Sequence, residues 1–132
     1  AQYLSVSWGE AVKILQTRYI PSIDKKLVKH AGKALSNGTK QLIKTMFKDF
    51  FEEFSSKYHQ QLRFNVPDER LRTDLHTLIQ IEVMPLYSQV LTKYGALPFS
   101  SNISKYIKYD QPTLQQMIAS MFYGATWRKG PD

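Results

Sequence analysis

Residues 40–60 read KQLIKTMFKDFFEEFSSKYHQ, and within them Ile43, Phe47, Phe50, Phe54 and Tyr58 recur three or four positions apart, with Leu42, Met46 and Phe51 beside them. That is the period of one face of an α-helix, and the face is wide. Lys44, Lys48, Asp49, Glu52, Glu53 and Lys57 fall on the other side. Burying each large apolar side chain contributes about 1.5–3 kcal/mol, so this helix is expected to supply the largest share of the core.

The same period extends in both directions. Ser7 with Glu10 has the form of a capping box, which predicts a helix over 8–19 with Val12, Leu15 and Tyr19 buried, ending before Pro21. Ile23, Leu27, Val28, Ala31 and Leu35 predict a shorter amphipathic helix over 23–35, and Ser36-Asn37-Gly38 is a turn signal. Downstream, Pro67 suits a first helical position and Asp68 and Glu69 complement the helix dipole. The stripe Leu71, Leu75, Leu78, Ile79, Val83, Leu86, Val90 and Tyr94 then runs to Gly95, with a kink or a break expected near 81–84 because Pro85 removes a backbone bond. A last helix over 111–123 buries Leu114, Met117, Ile118, Met121 and Phe122, with Asp110 as its N-cap. No stretch alternates apolar and polar residues as a sheet requires, so the fold class is all-α, an antiparallel helical bundle.

Composition narrows the chemistry. A chain of 132 residues with 42% hydrophobic residues suits one domain with a real core. The absence of cysteine excludes disulfides, thiol nucleophiles and thiolate zinc sites. No apolar run approaches the roughly 20 residues that span a bilayer. Ala1 is not an initiator Met and the stretch from Gly124 onward leaves the helical pattern, which leads us to expect a piece of a longer chain. The layout is then a lead-in over 1–6, a helical domain over 7–124 and a tail over 125–132, disordered or left from expression. The formal charge of +7 is carried by one segment: Lys25, Lys26, Lys29, Lys33, Lys40, Lys44 and Lys48 lie within 25–48 without an acid between them. Such a field attracts phosphate-bearing surfaces or acidic proteins.

Catalysis and metal binding find no support in the residue pattern. His30, His59 and His76 lack metal-ligand spacing, Asp49, Glu52 and Glu53 read as a solvated, salt-bridged face, and the glycines form no phosphate loop. We therefore expect no enzyme, no cofactor and no metal. Nucleic acid is also not expected as a partner, because Lys outnumbers Arg and no recognition motif is present.

What remains is the loop over 94–109, where Lys105-Tyr106-Ile107-Lys108-Tyr109 alternates cations and rings without a core pattern, between the helix stop at Gly95 and the cap at Asp110. This run, with Val66-Pro67-Asp68 upstream, Leu114 to Phe122 downstream and the stretches 8–15, 44–54 and 84–94, resembles the C-terminal domain of the exocyst seventy-kilodalton subunit family. The resemblance implies the C-terminal tip of an elongated helical rod. It also implies a vesicle-tethering role in exocytosis, cytoplasmic and peripheral at the inner face of the plasma membrane. There Lys105 and Lys108 would meet phosphatidylinositol 4,5-bisphosphate, with Tyr106 and Tyr109 anchoring the loop. Two lysines at about 1 kcal/mol each give roughly a thirtyfold gain, too little alone, so Lys25, Lys29, Lys33, Lys40 and Lys44 are candidates for a supporting basic patch. The alternative is a protein-interaction module for an acidic partner, another exocyst subunit or a Rho-family GTPase.

Overall fold

In the computed structural model, which describes residues 8–29 and 31–123, the aromatic stretch forms α3, Asn37–Leu62, the longest element. Ile43, Met46, Phe47, Phe50, Phe51 and Phe54 on α3 are fully buried, as the periodicity predicts. The helix starts earlier than the turn signal suggests: Ser36 is its N-cap and its hydroxyl accepts from Thr39 N–H at 3.1 Å, so Asn37 and Gly38 belong to the first turn.

Before it come α1, Gly9–Lys13, a π-helical turn, Ile14–Arg18, and α2, Ile20–Lys29. Trp8, Ala11, Ile14 and Leu15 are inside, whereas Val12 and Tyr19, expected there, are only half-buried. Glu10 pairs with Arg18 across that turn. Pro21 sits in the first turn of α2, where its missing N–H costs nothing. The expected continuation of α2 to residue 35 does not form; Gly32 takes φ +79°, and Val28, 78% exposed, and Ala31 face solvent instead of the core.

α4, Glu69–Lys93, starts at N-cap Asp68, whose carboxylate accepts from Leu71 N–H at 3.1 Å. Pro67 therefore precedes the cap and is not the first helical residue. The helix passes through Pro85 as one element, and Ile81, whose carbonyl loses its partner, is exposed where water can replace the bond. Its core face is Ile79, Val83, Tyr87, Val90 and Tyr94; Leu71 and Leu78, expected inside, lie on the exposed side. Tyr94 donates to Asp24 on α2, beside the 3.3 Å ion pair of Lys93 with Asp24, and burial together with that bond holds its phenol above the usual range.

After a short 3₁₀ turn, Ile103–Lys105, the last helix α5, Gln111–Ala119, packs on α4 and buries Leu114 and Ile118. The chain then turns back: Val66 N–H donates to the Phe122 carbonyl at 2.8 Å, and Phe122 holds φ +73° with its buried ring stacked on His76. Among the described residues the architecture is an all-α bundle without a β-ladder beyond the isolated Asn65–Tyr123 bridge. The expected lead-in over 1–6, the cap Ser7, His30 and the tail over 125–132 lie outside the described residues.

Two caps fix the ends of the 95–109 segment. A Cβ on Gly95 would stand 2.5 Å from the Leu91 carbonyl oxygen and 3.2 Å from Ile107 Cδ1, so Gly95→Ala must displace backbone and should cost about 1–3 kcal/mol, read as a lower thermal unfolding midpoint. At the other end the Asp110 carboxylate accepts from the Thr113 side chain and from Thr113 N–H at 2.9 Å, which holds it below the usual carboxylate range. A carboxylate depressed in the folded state stabilises above its unfolded pKa and loses that contribution as pH falls through the folded value. Asp110→Ala should lower the midpoint at pH 7, and the gap to the parent chain should close as the pH is lowered below about 4.

Candidate functional site

The loop is seated on α3 by rings. Phe99 is fully buried, 5.6 Å from Phe47, and Tyr106 packs crosswise against Phe99 at 6.0 Å. Tyr109 stands edge-on to Phe51 at 5.6 Å, and its carbonyl accepts from Tyr87, whose phenol burial pushes far above its ordinary range. Tyr106 and Tyr109 are each half-buried, while Lys105 and Lys108, on the same short segment, are exposed.

This seating brings the loop lysines to the outer face of α3. A groove of about 560 Å³ is lined by Gln41, Lys44, Thr45, Lys48, Asp49 and Glu52 of α3 and by Lys105, Tyr106 and Lys108 of the loop. Its size lies within the roughly 300–1,000 Å³ of small-molecule sites. Lys44 and Lys105 place their Nζ atoms 5.6 and 5.8 Å from the centroid of the Tyr106 ring, so one ring engages a cation from α3 and a cation from the loop.

Of the supporting lysines expected from sequence, Lys44 alone lines this groove. Lys40 lies one turn earlier on α3, Lys25 and Lys29 are exposed on α2, and Lys33 is exposed in the connection that follows. Lys48 is not among the lysines expected to support the loop, although its position four residues after Lys44 puts both on one ridge. Asp49 and Glu52 depart from the expected salt-bridged face. Asp49 accepts from the Tyr19 hydroxyl, a bond that holds the phenol above its usual range, and the ion pairs found among the described residues, Glu10–Arg18 and Asp24–Lys93, involve neither. His76 is half-buried and its Nε2 is 2.8 Å from the Met121 carbonyl, so the ring donates there and serves the fold.

Among the described residues, no helix is long and apolar enough to cross a membrane. The family model for the C-terminal part of Exo70, the exocyst complex component, matches residues 1–120. Exocyst complex component EXO70A3 of Arabidopsis thaliana is 31% identical over 124 residues, covering 93% of this chain and 20% of the relative. EXO70A1 of the same plant is 32% identical over 129 residues, with 93% and 19% covered, and human exocyst complex component 7 is 28% identical over 116 residues, with 88% and 15% covered. The chain thus spans about one-fifth of the length of its plant relatives. With the family match covering nearly the whole helical bundle, the chain belongs to the Exo70 family of exocyst subunits, within its C-terminal region.

Proposed function

We propose that this domain belongs to a vesicle-tethering exocyst subunit and attaches it to acidic phosphoinositides, phosphatidylinositol 4,5-bisphosphate among them, at the cytoplasmic face of the plasma membrane. The observation that carries the reading is the groove in which Lys44 and Lys48 from α3 meet Lys105 and Lys108 from a loop nearly sixty residues later. A Lys near an anionic leaflet is worth about 1 kcal/mol, so four give roughly a thousandfold gain where the loop pair gives about thirtyfold. Because Tyr106 and Tyr109 already fasten the loop, little ordering entropy opposes binding.

A second reading, docking to another exocyst subunit or a Rho-family GTPase, is favoured by a different surface. Leu71 (51%), Leu78 (38%) and Ile81 (62%) are exposed along α4, and a run of uncovered large apolar side chains fits a protein partner better than a headgroup. The two readings use separate faces and are compatible.

Lys105→Ala with Lys108→Ala is expected to weaken binding to vesicles containing phosphatidylinositol 4,5-bisphosphate about thirtyfold, with the thermal midpoint unchanged because both side chains are exposed. Adding Lys44→Ala and Lys48→Ala should reduce sedimentation with the vesicles further; equal binding by the parent chain and the loop double variant would remove this pair from the site. For the second reading, Leu71→Ser with Ile81→Ser should reduce co-purification with other exocyst subunits while vesicle binding stays intact.

A further inference from the structure

The lining of the groove carries both signs of charge. Lys44, Lys48 and Glu52 follow one another at intervals of four on one ridge of α3, with Thr45 and Asp49 on the next. At 1.5 Å per residue, Lys44 and Glu52 are about 12 Å apart along the axis. Lys44 and Lys105 meet at the Tyr106 ring, and Asp49 and Glu52 also border Glu10 and Arg18 of the N-terminal segment. The ion pairs among the described residues, Glu10–Arg18 and Asp24–Lys93, involve none of the groove's lysines or carboxylates. Asp49 is held by the Tyr19 hydroxyl through Oδ2, and no hydrogen bond among the described residues uses its Oδ1.

A groove meant for bulk negative charge gains nothing from two carboxylates, which repel any plain polyanion. A carboxylate accepts hydrogen bonds only, and a hydroxyl donating to it makes a charge-assisted bond about twice as strong as a neutral one. Four lysines exceed what a single phosphodiester needs, and two acceptors next to them match ring hydroxyls. We infer that Asp49 and Glu52 are specificity-determining residues, selecting a phosphorylated polyol of the inositol type: lysines take its phosphates and the carboxylates accept from its hydroxyls. The inference rests on the headgroup reading above and adds selectivity to it. A polyanion without hydroxyl donors meets the same lysines but is penalised by the carboxylates, and selectivity is that difference.

The test measures, by isothermal titration on the 132-residue chain, the affinities for inositol 1,4,5-trisphosphate and for inorganic tripolyphosphate. Asp49→Asn with Glu52→Ala keeps an acceptor for Tyr19 and removes both carboxylates. Tripolyphosphate should then bind more tightly while the inositol phosphate does not, so that the preference for the inositol phosphate falls about tenfold. Glu52→Ala alone, at an exposed position with no effect on folding, should lower the preference about threefold. Lys105→Ala with Lys108→Ala should weaken both ligands alike and leave the preference in place. If both ligands tighten by the same factor in the carboxylate variants, the acids act only as repulsion and the inference is overturned while the headgroup reading stands. If the unaltered chain binds neither ligand, both fall.

Discussion

The structure depends on one constraint, the burial of the phenylalanine ridge of α3. Phe47, Phe50, Phe51 and Phe54 have no solvent-facing alternative, and each is capped by a ring from elsewhere in the chain: Phe54 by Trp8 at 5.5 Å, Phe50 by Tyr87 at 5.4 Å, Phe51 by Tyr109 at 5.6 Å and Phe47 by Phe99 at 5.6 Å. Each such pair adds about 0.5–1.5 kcal/mol beyond the area buried. One ridge thereby fastens the N-terminal helix, α4 and the 95–109 segment, which also touch one another, as in the bond from Tyr87 to the Tyr109 carbonyl.

The groove is a by-product of that packing. A helix that buries positions 47, 50, 51 and 54 must turn 44, 45, 48 and 52 outward or sideways, because successive side chains advance by 100°. When Phe99 and Tyr109 dock on the ridge, the residues between them come to rest alongside that outer face. Tyr106 links the two roles, since its ring packs crosswise against buried Phe99 while Lys44 and Lys105 stand over it. Charge density in the groove is thus set by core geometry and not by loop composition alone.

The same geometry decides which features are legible in the sequence. The inward face of α3 is, because a 3.6-residue period over six turns leaves a helix one way to bury its rings. The stripe on α4 is legible only in part: Leu71 and Leu78 obey the same period, but a period tells which residues share a face and not which face finds a cover. Tyr87 is hidden because its hydroxyl makes it read as polar, and its burial depends on the Tyr109 carbonyl, twenty-two residues away. Around α1 the buried stripe runs through Trp8, Ala11, Ile14 and Leu15, a register that the spacing of Val12, Leu15 and Tyr19 does not announce. For the site, Lys105 and Lys108 stand out by their alternation with tyrosines. The lysines that line one groove with them cannot be chosen from the seven in 25–48 without knowing the side of α3 on which the loop docks, and the lining includes Lys44 and Lys48 but not Lys25, Lys29, Lys33 or Lys40.

The division of labour between rings and lysines also bears on how a surface can be both rigid and adaptable. The backbone of the loop is committed at Gly95, Phe99, Tyr109 and Asp110 by steric contact, ring packing and a cap. The lysine stems beyond it are long and free of ion pairs among the described residues, so their ammonium groups can follow a ligand's charges. Restricting the backbone lowers the entropy lost on binding, and leaving the side chains unpaired avoids the cost of breaking salt bridges first. Two carboxylates against four lysines leave the lining net positive whether or not the groups pair, so leaving them unpaired changes the reach of the ammonium groups and not the sign of the field.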